Sequence, residues 1–237
     1  MTRPGDNQAV AFHDQLAERW EMKYSRASFG RRAQAILTMP TGDPGAGEQW
    51  LDAGCGTGTI ARQLARLGCQ VTAVDGSARM IEVARQAAAR EECLPAIRFL
   101  KVGDIVDLPF ADATFDGVVC SSVLEYLDAP ARTLSELARV LRSEGRLIAS
   151  VPNQRAVLRR LLKLAHWATR RCGLQPWPRY LSLSRHEFTP PSFARLLAES
   201  RLRSSAWRYY GPLLPRAFAD TRYGGTLLMA VCVKVPP

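Results

Sequence analysis

The sequence predicts an α/β protein built on a parallel β-sheet that helices cover on both faces. Two observations support this fold class. Short apolar runs alternate with helix-length segments along most of the 237 residues, and strands that alternate with helices pair in parallel because each crossover spans the sheet. The composition, 47% hydrophobic and 23% charged, is typical of a globular chain that buries a core without disulfide or metal staples.

The individual elements follow from the apolar patterns and from the turn residues between them. Apolar residues from Val10 to Trp20 recur at helical spacings, which predicts an amphipathic helix at 8–22. The Gly- and Pro-rich segment 41–49 predicts a linker into the main domain. We expect strands at 50–54, 70–75, 96–104, 115–122, 146–152, 203–211 and 225–235. We expect further helices at 57–68, 77–90, 129–145 and 192–202.

The six cysteines and three histidines show no spacing of a functional site. Without a Cys-x-x-Cys pair, the cysteines are expected to be reduced thiols. No histidine lies at helical spacing from another histidine or a cysteine, so we expect no metal site built on a local motif. No apolar run approaches the ~20 residues that cross a bilayer, and acidic residues interrupt the first 30 positions. We therefore expect a cytoplasmic protein without a secretory signal.

The net charge of +10 is unevenly distributed along the chain. Residues 1–144 carry 16 Lys and Arg against 19 Asp and Glu, whereas residues 145–237 carry 16 against 3. No acidic residue occurs between Glu144 and Glu187. This asymmetry predicts an anionic partner for the C-terminal part, such as a membrane surface, a nucleic acid or an acidic substrate.

The strongest motif is LDAGCGTGT at 51–59, where the first strand leads into the following helix. Its glycines allow a ligand to approach the backbone, and the helix N-terminus offers free N–H groups. A dinucleotide site has the pattern G-x-G-x-x-G, but here the third glycine, Gly58, comes one residue early and Thr59 follows it. Asp52 lies where a pyrophosphate would pass, so the charge favours a ligand with ammonium and sulfonium groups.

Two further aspartates end the next strands. Asp75 ends the second strand and can accept hydrogen bonds from both hydroxyls of an adenosine ribose. Asp104 ends the third strand and can meet the exocyclic amine of an adenine. Each aspartate alone could cap a helix or lie in a loop. Together with Asp52 they converge on the crevice where open α/β sheets bind ligands.

This set of motifs resembles the class I S-adenosylmethionine (SAM)-dependent methyltransferases from Trp50 to about Pro152. The segments that carry the resemblance are LDAGCGTG, VTAVDGS and VGDIVDLPFADATFDGVVCSSVLEYL. The resemblance implies a Rossmann-like, mostly parallel seven-stranded sheet whose last strand is antiparallel. It implies SAM as cofactor and S-adenosylhomocysteine (SAH) as product. The residues expected to contact the cofactor are Asp52, Gly54, Cys55, Gly56, Gly58, Asp75, Gly76, Met80, Gly103, Asp104, Ile105, Ser121 or Ser122, and Tyr24.

The resemblance also suggests an arrangement of the whole chain as one domain, 1–237. Residues 1–46 would form an N-terminal helical lid, in which Tyr24 and Trp20 cover the donor or anchor the helix as an aromatic patch. The cofactor-binding core would span 47–152. A basic amphipathic insertion would follow at 153–188, and 189–237 would complete the sheet. Cys55 is expected to pack between the glycines and not to act as a nucleophile.

Methyl transfer from a sulfonium mainly requires a positioned and deprotonated acceptor, so few catalytic residues are needed. His186, before a predicted helix, is a candidate general base, or a histidine that packs under that helix. Glu125 and Tyr126, which follow the fourth strand, are the other candidate catalytic residues. The resemblance is closest to small-molecule enzymes of quinone biosynthesis, several of which have Glu-His at this point. Because Tyr126 replaces that histidine, we expect no metal.

A basic amphipathic helix at 155–171 gives the main indication of the substrate. Such a helix can lie on an anionic membrane surface, here the inner membrane face, or can pack on the domain with its arginines solvated. Similar insertions in quinone-pathway relatives contact membranes or cover the acceptor pocket. Its predicted apolar face is Val157, Leu158, Leu161, Leu162, Ala165 and Ala168. Its predicted basic face is Arg155, Arg159, Lys163, His166 and Arg170.

The motifs therefore predict a methyltransferase that acts on a small hydrophobic or aromatic acceptor, at oxygen. One alternative is an RNA methyltransferase, whose phosphates the basic C-terminal part would neutralise. The basic residues alternate with leucines and do not surround stacking aromatics, so a nucleic-acid partner is not expected. A second alternative is a non-catalytic SAM-binding accessory protein with the same fold. The oligomeric state is left open.

Overall fold

The structure is a computed structural model that describes residues 4–24, 27–39, 44–211 and 216–235. Over these ranges the chain forms one seven-stranded sheet flanked by helices. The strands are β1 (Gln49–Ala53), β2 (Gln70–Asp75), β3 (Ile97–Lys101), β4 (Phe115–Ser121), β5 (Leu141–Pro152), β6 (Leu202–Tyr210) and β7 (Leu227–Lys234). The helices are α1 (Pro4–Tyr24), α2 (Ala27–Leu37), α3 (Thr59–Arg66), α4 (Ala78–Arg90), α5 (Pro130–Val140), α6 (Val157–Arg171), α7 (Pro190–Glu199) and α8 (Arg216–Ala219).

The strand order confirms the predicted Rossmann-like sheet. The order is β3-β2-β1-β4-β5-β7-β6. The first five strands in this order are parallel, and β7 is antiparallel to both of its neighbours. The chain builds outward from β1 in one direction and then starts again at β4 on the other side. Open α/β sheets bind ligands outside the C-terminal strand ends at such a switch point.

The side chains of the central strands alternate between two apolar layers. Leu51 and Ala53 point to the layer that contains α5 and α7. Trp50 is fully buried in the opposite layer. Its indole Nε1 donates to Glu48 Oε2 at 2.8 Å. A Cβ atom at Gly117 of β4 would lie 2.4 Å from the Trp50 ring, so glycine makes room for the indole.

Several elements differ from the sequence predictions. The helix predicted at 129–145 ends at Val140, because Leu141 already pairs with Phe115 of β4 at the start of a long β5. Strand pairing overrides the helical pattern of these residues. The third strand ends at Lys101 and not at residue 104, so Asp104 lies in a loop. The helices α2 and α8 were not predicted.

None of the helices in the described ranges is long and apolar enough to cross a membrane. The basic insertion forms a helix, as predicted, at Val157–Arg171.

Candidate active site

A cavity of about 420 Å³ opens at the C-terminal edge of the sheet. It is formed by the ends of β1, β2 and β4, by the loop after β3, and by residues of α1, α2 and α6. Most residues that the sequence predicts as cofactor contacts line this cavity. They are Asp52, Gly54, Cys55, Gly56, Asp75, Gly76, Met80, Gly103, Asp104, Ile105, Ser121 and Ser122.

The glycine loop turns tightly over the end of β2. Gly54 has a φ of 76°, and both its N–H and that of Cys55 donate to the Val74 carbonyl, at 2.8 and 2.9 Å. A Cβ atom at Gly54 would lie 2.3 Å from a methyl of Val123, so a larger residue would be strained and crowded. At Gly56 a Cβ would meet no atom within 4 Å, which leaves the backbone open to a ligand.

Gly58 has a different position from the one predicted. It does not border the cavity. A Cβ atom there would lie 3.1 Å from both Ala84 of α4 and Phe99 of β3. With a φ of 73°, Gly58 starts α3 and lets α3 pack close to these elements. Its role in the described structure is helix packing.

Two aspartates give the cavity its negative charge. Asp52 is 1% exposed, and its Oδ2 accepts from the Ala61 N–H at 3.1 Å. Burial, which outweighs that hydrogen bond, raises the pKa of Asp52 to about 7, and the charge of Asp75 adds to the rise. Burial also raises the pKa of Asp75. Asp75 bridges two loops, because its carboxylate accepts from Gly56 N at 2.8 Å and from Ser77 N at 2.9 Å.

The loop after β3 completes the predicted adenosine side. Asp104 lines the cavity, and its Oδ1 accepts from the Val106 N–H at 3.1 Å. Gly103 has no atom within 4 Å of a hypothetical Cβ, so the wall is open there. Burial raises the pKa of the Cys55 thiol well above its usual range, which keeps it protonated and fits its predicted packing role.

Glu125 lies at the other end of the cavity. Its side chain is 3% exposed, and its Oε2 atom has no hydrogen-bond partner among the described residues. Burial raises the pKa of Glu125 to about 7 against the opposing effects of its own backbone N–H, Arg32, Arg159 and Ser122. A buried carboxyl with a free oxygen is suited to bind or deprotonate a ligand hydroxyl.

Tyr126 lines the cavity beside Glu125 and touches the N-terminal helix. Its ring centroid lies 5.2 Å from that of His13 in a T-shaped contact. Burial, with the charge of Glu125, raises the pKa of Tyr126 well above its usual range. The phenol therefore stays protonated near neutral pH and can donate a hydrogen bond.

His186 lies outside the residues that line the cavity. Its Nε2 lies 2.9 Å from the Leu127 carbonyl and must donate to it, since a carbonyl oxygen only accepts. The backbone N–H of His186 donates to the Glu125 carbonyl at 3.4 Å. This placement ties the segment after α6 to the Glu125–Leu127 turn, and the histidine reaches the cavity only through these neighbours.

The helix α1, within the segment 1–46 predicted as a lid, borders the cavity and contacts the loop after β2. Asp14 accepts from the Ser77 hydroxyl at 2.5 Å and from the Arg79 N–H at 3.1 Å. Trp20 lines the cavity and lies 5.4 Å from His13, ring to ring. Tyr24 is the last residue of α1, and its side chain lies outside the described part of the chain.

Two cavity residues of the N-terminal helices were missed by sequence reasoning. His13 donates from Nδ1 to the Ala9 carbonyl at 2.8 Å, and burial lowers its pKa, so the ring is neutral near pH 7. Arg32 donates from Nη2 to the hydroxyls of Ser121 and Ser122 at 2.7 and 2.6 Å. The helix that carries Arg32 was not predicted, and no sequence motif connects it to β4.

The insertion helix α6 contributes two leucines and one arginine to the cavity. Leu158 and Leu162 line it, as does Arg159. Arg159 was predicted on the solvated basic face, but it is buried, because Glu187 and Ser184 accept from its guanidinium at 2.5 and 2.8 Å. The predicted apolar face is therefore divided, with Leu158 and Leu162 turned inward and other apolar residues exposed.

The cavity lining combines carboxyl groups with one guanidinium group beside the end of β4. Asp52 and Asp75 line it, and Arg32 lies next to Ser121. No group of three His, Cys, Asp or Glu side chains within the described ranges is arranged to hold a metal ion.

Residues 51–149 match the family described as Methyltransferase domain. A demethylmenaquinone methyltransferase of Clavibacter sepedonicus is 34% identical over 147 residues, which are 62% of this chain and 58% of the relative. A mitochondrial ubiquinone biosynthesis O-methyltransferase of Schizosaccharomyces pombe is 38% identical over 119 residues, 50% of this chain and 43% of the relative. The chain spans about half the length of these curated relatives.

Among solved structures, the magnesium protoporphyrin IX methyltransferase of Synechocystis PCC 6803, with bound SAH, has a TM-score of 0.73 to this chain. The likeness covers 96% of this chain and 99% of that one at 20% identity, which shows the shared fold. The domain match begins inside β1 and ends inside β5, so it covers the strands whose ends form the cavity. The chain therefore carries a region, residues 51–149, that matches the methyltransferase domain family, and it has the fold of SAM-dependent methyltransferases.

Proposed function

We propose that this chain transfers the methyl group of SAM to an oxygen atom of a small hydrophobic or aromatic acceptor. The observation that carries the proposal is Glu125, a buried carboxyl with an unpartnered oxygen in the wall of an otherwise largely apolar compartment. The relatives named for quinone methylation support the same class of acceptor.

The donor would be held at the glycine-loop end of the cavity. Asp75 would accept from the ribose hydroxyls, since each carboxylate oxygen keeps a lone pair beyond its backbone hydrogen bond. Asp104 would meet the adenine, and Asp52 would face the positive charge of the donor. Arg32 would bind the methionine carboxylate. SAM supplies an electrophilic methyl group on a sulfonium.

The acceptor compartment lies between the turn after β4 and the insertion helix. Leu127, Leu158, Leu162 and Tyr180 line it and would contact a flat, apolar molecule. Their apolar surface also excludes water from the reacting oxygen. An acceptor held in this compartment meets the donor end of the cavity at a fixed orientation, which accounts for much of the rate of such displacements.

Glu125 would accept the proton of the acceptor hydroxyl. A pKa of about 7 places its basic form within reach at neutral pH while the carboxylate is still basic enough to take a proton. The protonated phenol of Tyr126 would donate a hydrogen bond to the acceptor and orient it. His186 would act as a positioning residue, because it contacts the backbone of the turn that carries Glu125.

The direct test is a panel of phenols, catechols and aliphatic alcohols incubated with the full chain and methyl-labelled SAM. Mass spectrometry of the products should show addition of one methyl group at oxygen for at least one acceptor class. Transfer of the labelled methyl group to RNA, added in place of the small acceptors, would support the RNA methyltransferase alternative. Tight SAH binding without turnover on either panel would support a non-catalytic role and would contradict the proposal.

We infer that the exposed face of α6 contacts an anionic membrane surface, from which an apolar acceptor could enter. Leu161, Leu164 and Trp167 are 58%, 62% and 62% exposed on this helix. Such apolar side chains are costly to leave in water when they are contiguous. Exposed Arg160 and Arg170 flank them. Apolar side chains between basic residues are typical of interfacial helices.

Vesicle flotation tests this contact. The chain should float with vesicles that contain phosphatidylglycerol and float less with phosphatidylcholine alone. Replacing Leu161, Leu164 and Trp167 by serine should abolish flotation and leave SAH affinity unchanged, whereas Leu67→Ser, an exposed leucine elsewhere, should change neither. Equal flotation with both vesicle types, or with neither, would contradict the contact.

A further inference from the structure

A second cavity, of about 430 Å³, lies on the outer side of α6. It is separate from the compartment described above, although Arg159 borders both. We call it the basic cleft. Its lining residues are Gln154, Arg155, Arg159, Arg160, Lys163, Glu187 and Thr189.

The basic cleft carries four cationic side chains and one carboxylate. Glu187 is already engaged, because Arg159 Nε and Lys163 Nζ each donate to it at 2.5 Å. Burial by itself would raise the pKa of Glu187. The hydrogen bonds from Lys163 and Arg159 outweigh burial and lower this pKa, so the carboxylate is ionised. The guanidinium groups of Arg155 and Arg160 have no acidic partner among the described residues.

The position of these cations is unfavourable in the absence of an anion. Arg159 and Arg160 lie in the first turn of α6, which has no acidic residue. Cations at a helix N-terminus oppose the helix dipole. Like charges in one cleft also repel one another. A bound anion would relieve both effects.

We propose that the basic cleft binds a phosphate group through Arg155, Arg160 and Lys163. Guanidinium groups bind phosphate oxygens with two parallel hydrogen bonds, and a lysine ammonium adds a point charge. Thr189 also borders the cleft, but its hydroxyl already donates to Ser192 Oγ at 3.2 Å. Glu187 would stay paired with Arg159, so its charge does not face the anion unshielded.

The phosphate group can belong to a soluble phosphate compound or to the headgroup of an anionic lipid. The lipid source rests on the membrane contact proposed for α6, and the soluble source is independent of it. Neither source requires methyl transfer, so the proposal can fail while the proposed reaction stands.

The test compares Arg155→Gln/Arg160→Gln with Arg90→Gln/Arg98→Gln, which removes the same charge from exposed positions on α4 and β3. Calorimetry measures the affinity for inorganic phosphate, which represents a soluble phosphate compound. Chloride keeps the ionic strength constant. Flotation with phosphatidylcholine vesicles, with and without phosphatidylglycerol, measures the headgroup. SAH affinity is measured on every variant as a check on the fold.

Saturable phosphate binding that falls at least tenfold in the cleft variant, and not in the control variant, would establish a site for soluble phosphate compounds. A preference for phosphatidylglycerol that only the cleft variant loses would establish a headgroup site. No binding of either probe by the unchanged chain would overturn the proposal. Equal losses in both double variants would overturn it too, since they would show a general charge effect.

Discussion

Two carboxyl groups of the active-site cavity, those of Asp52 and Glu125, are buried, and this shapes their chemistry. Asp52 and Glu125 both have a pKa raised to about 7, in each case chiefly by burial. The two residues would use this property differently. Asp52 would become ionised when a cation binds next to it, whereas Glu125 would exchange a proton with the acceptor.

The first prediction concerns Asp52 and the pH dependence of SAM binding. A cationic ligand stabilises the ionised carboxylate, so binding lowers the pKa of Asp52 and releases a proton when the pH is near or below 7. Affinity should therefore rise with pH through about 7 and fall by up to about tenfold per unit below it. Calorimetry in two buffers of different ionisation enthalpy measures the released proton. Asp52→Asn should abolish the release, and an unchanged release would contradict the assignment.

The second prediction concerns Glu125 as the proton acceptor. Because the ionised form is the active one, kcat/KM for an accepted hydroxyl substrate should rise as the pH passes through about 7. Glu125→Gln keeps the shape but removes the base, so kcat should fall about 10²- to 10⁴-fold and lose this pH limb. Calorimetry should give an unchanged SAH affinity. If Glu125→Gln still showed the rise of kcat/KM with pH, another group would be responsible for that rise.

At the scale of elements, close packing between strands and helices sets where the site residues lie. Gly117 leaves room for the Trp50 ring, and Trp50 anchors β1 two residues before Asp52. The helix α1 is joined to the turn before α4 by hydrogen bonds from Ser77 and Arg79 to Asp14. These contacts position the donor half of the cavity from both sides.

The third prediction concerns Gly117. A methyl group at this position would overlap the Trp50 indole, since the Cβ would lie 2.4 Å from a ring atom. Overpacking of this kind costs about 1–3 kcal/mol. Gly117→Ala should therefore lower the free energy of unfolding by that amount in a denaturant titration. Combining it with Trp50→Phe should recover part of the loss, and a fully additive effect would argue against direct overlap.

The fourth prediction concerns the docking of α1. Asp14→Asn removes a charged acceptor from the Ser77 hydroxyl and the Arg79 N–H, and such hydrogen bonds contribute about 1.5–3 kcal/mol. Hydrogen exchange in α1 should become faster, and SAH affinity should fall because the lid opens more often. Glu82→Gln, an exposed change on α4, is the matched control and should leave both unchanged. Unaltered exchange in Asp14→Asn would show that other contacts hold the lid.

At the scale of the molecule, the topology brings groups distant in sequence to one edge of the sheet. Arg32 of α2 meets Ser121 of β4, and Leu158 of α6 faces the same cavity. Residues 145–237 hold 16 of the 32 Lys and Arg but only 3 of the 22 Asp and Glu, and four of these basic residues line the basic cleft. One side of α6 thus borders the acceptor compartment while the other is exposed.

The fifth prediction concerns cofactor choice by the whole fold. A ligand that binds only the native state stabilises it by about 2.7 kcal/mol at 100 times its Kd. SAH should therefore raise the melting temperature, while NAD should not, because its pyrophosphate would meet Asp52. Thermal unfolding with each ligand at equal concentration measures this difference. Stabilisation by NAD in place of SAH would contradict the charge argument.

Much of the central sheet, and most residues of the glycine loop and strand ends that line the cavity, could be predicted because their determinants are local. A buried strand followed by glycines or by an aspartate is visible in a few consecutive residues, as at Asp52 and Asp75. The number of seven strands and the antiparallel last strand, which were confirmed, came from the resemblance carried by these motifs. The end of α5 at Val140 was not predicted, because it is set by the pairing of Leu141 with Phe115 of β4. The helical spacing of apolar residues carries no information about that pairing.

The acceptor half depends on contacts between distant segments. The sequence alone could propose Glu125 and Tyr126, but not that Arg32 and His13 would reach the same cavity from α2 and α1. Nor could periodicity decide which side of α6 is buried, since Arg159 lies inward only because Glu187 and Ser184 are there to bind it. Local patterns thus determined the sheet and the cofactor loops, whereas burial, charge pairing and the shape of the acceptor compartment were decided by which surfaces the fold brings together.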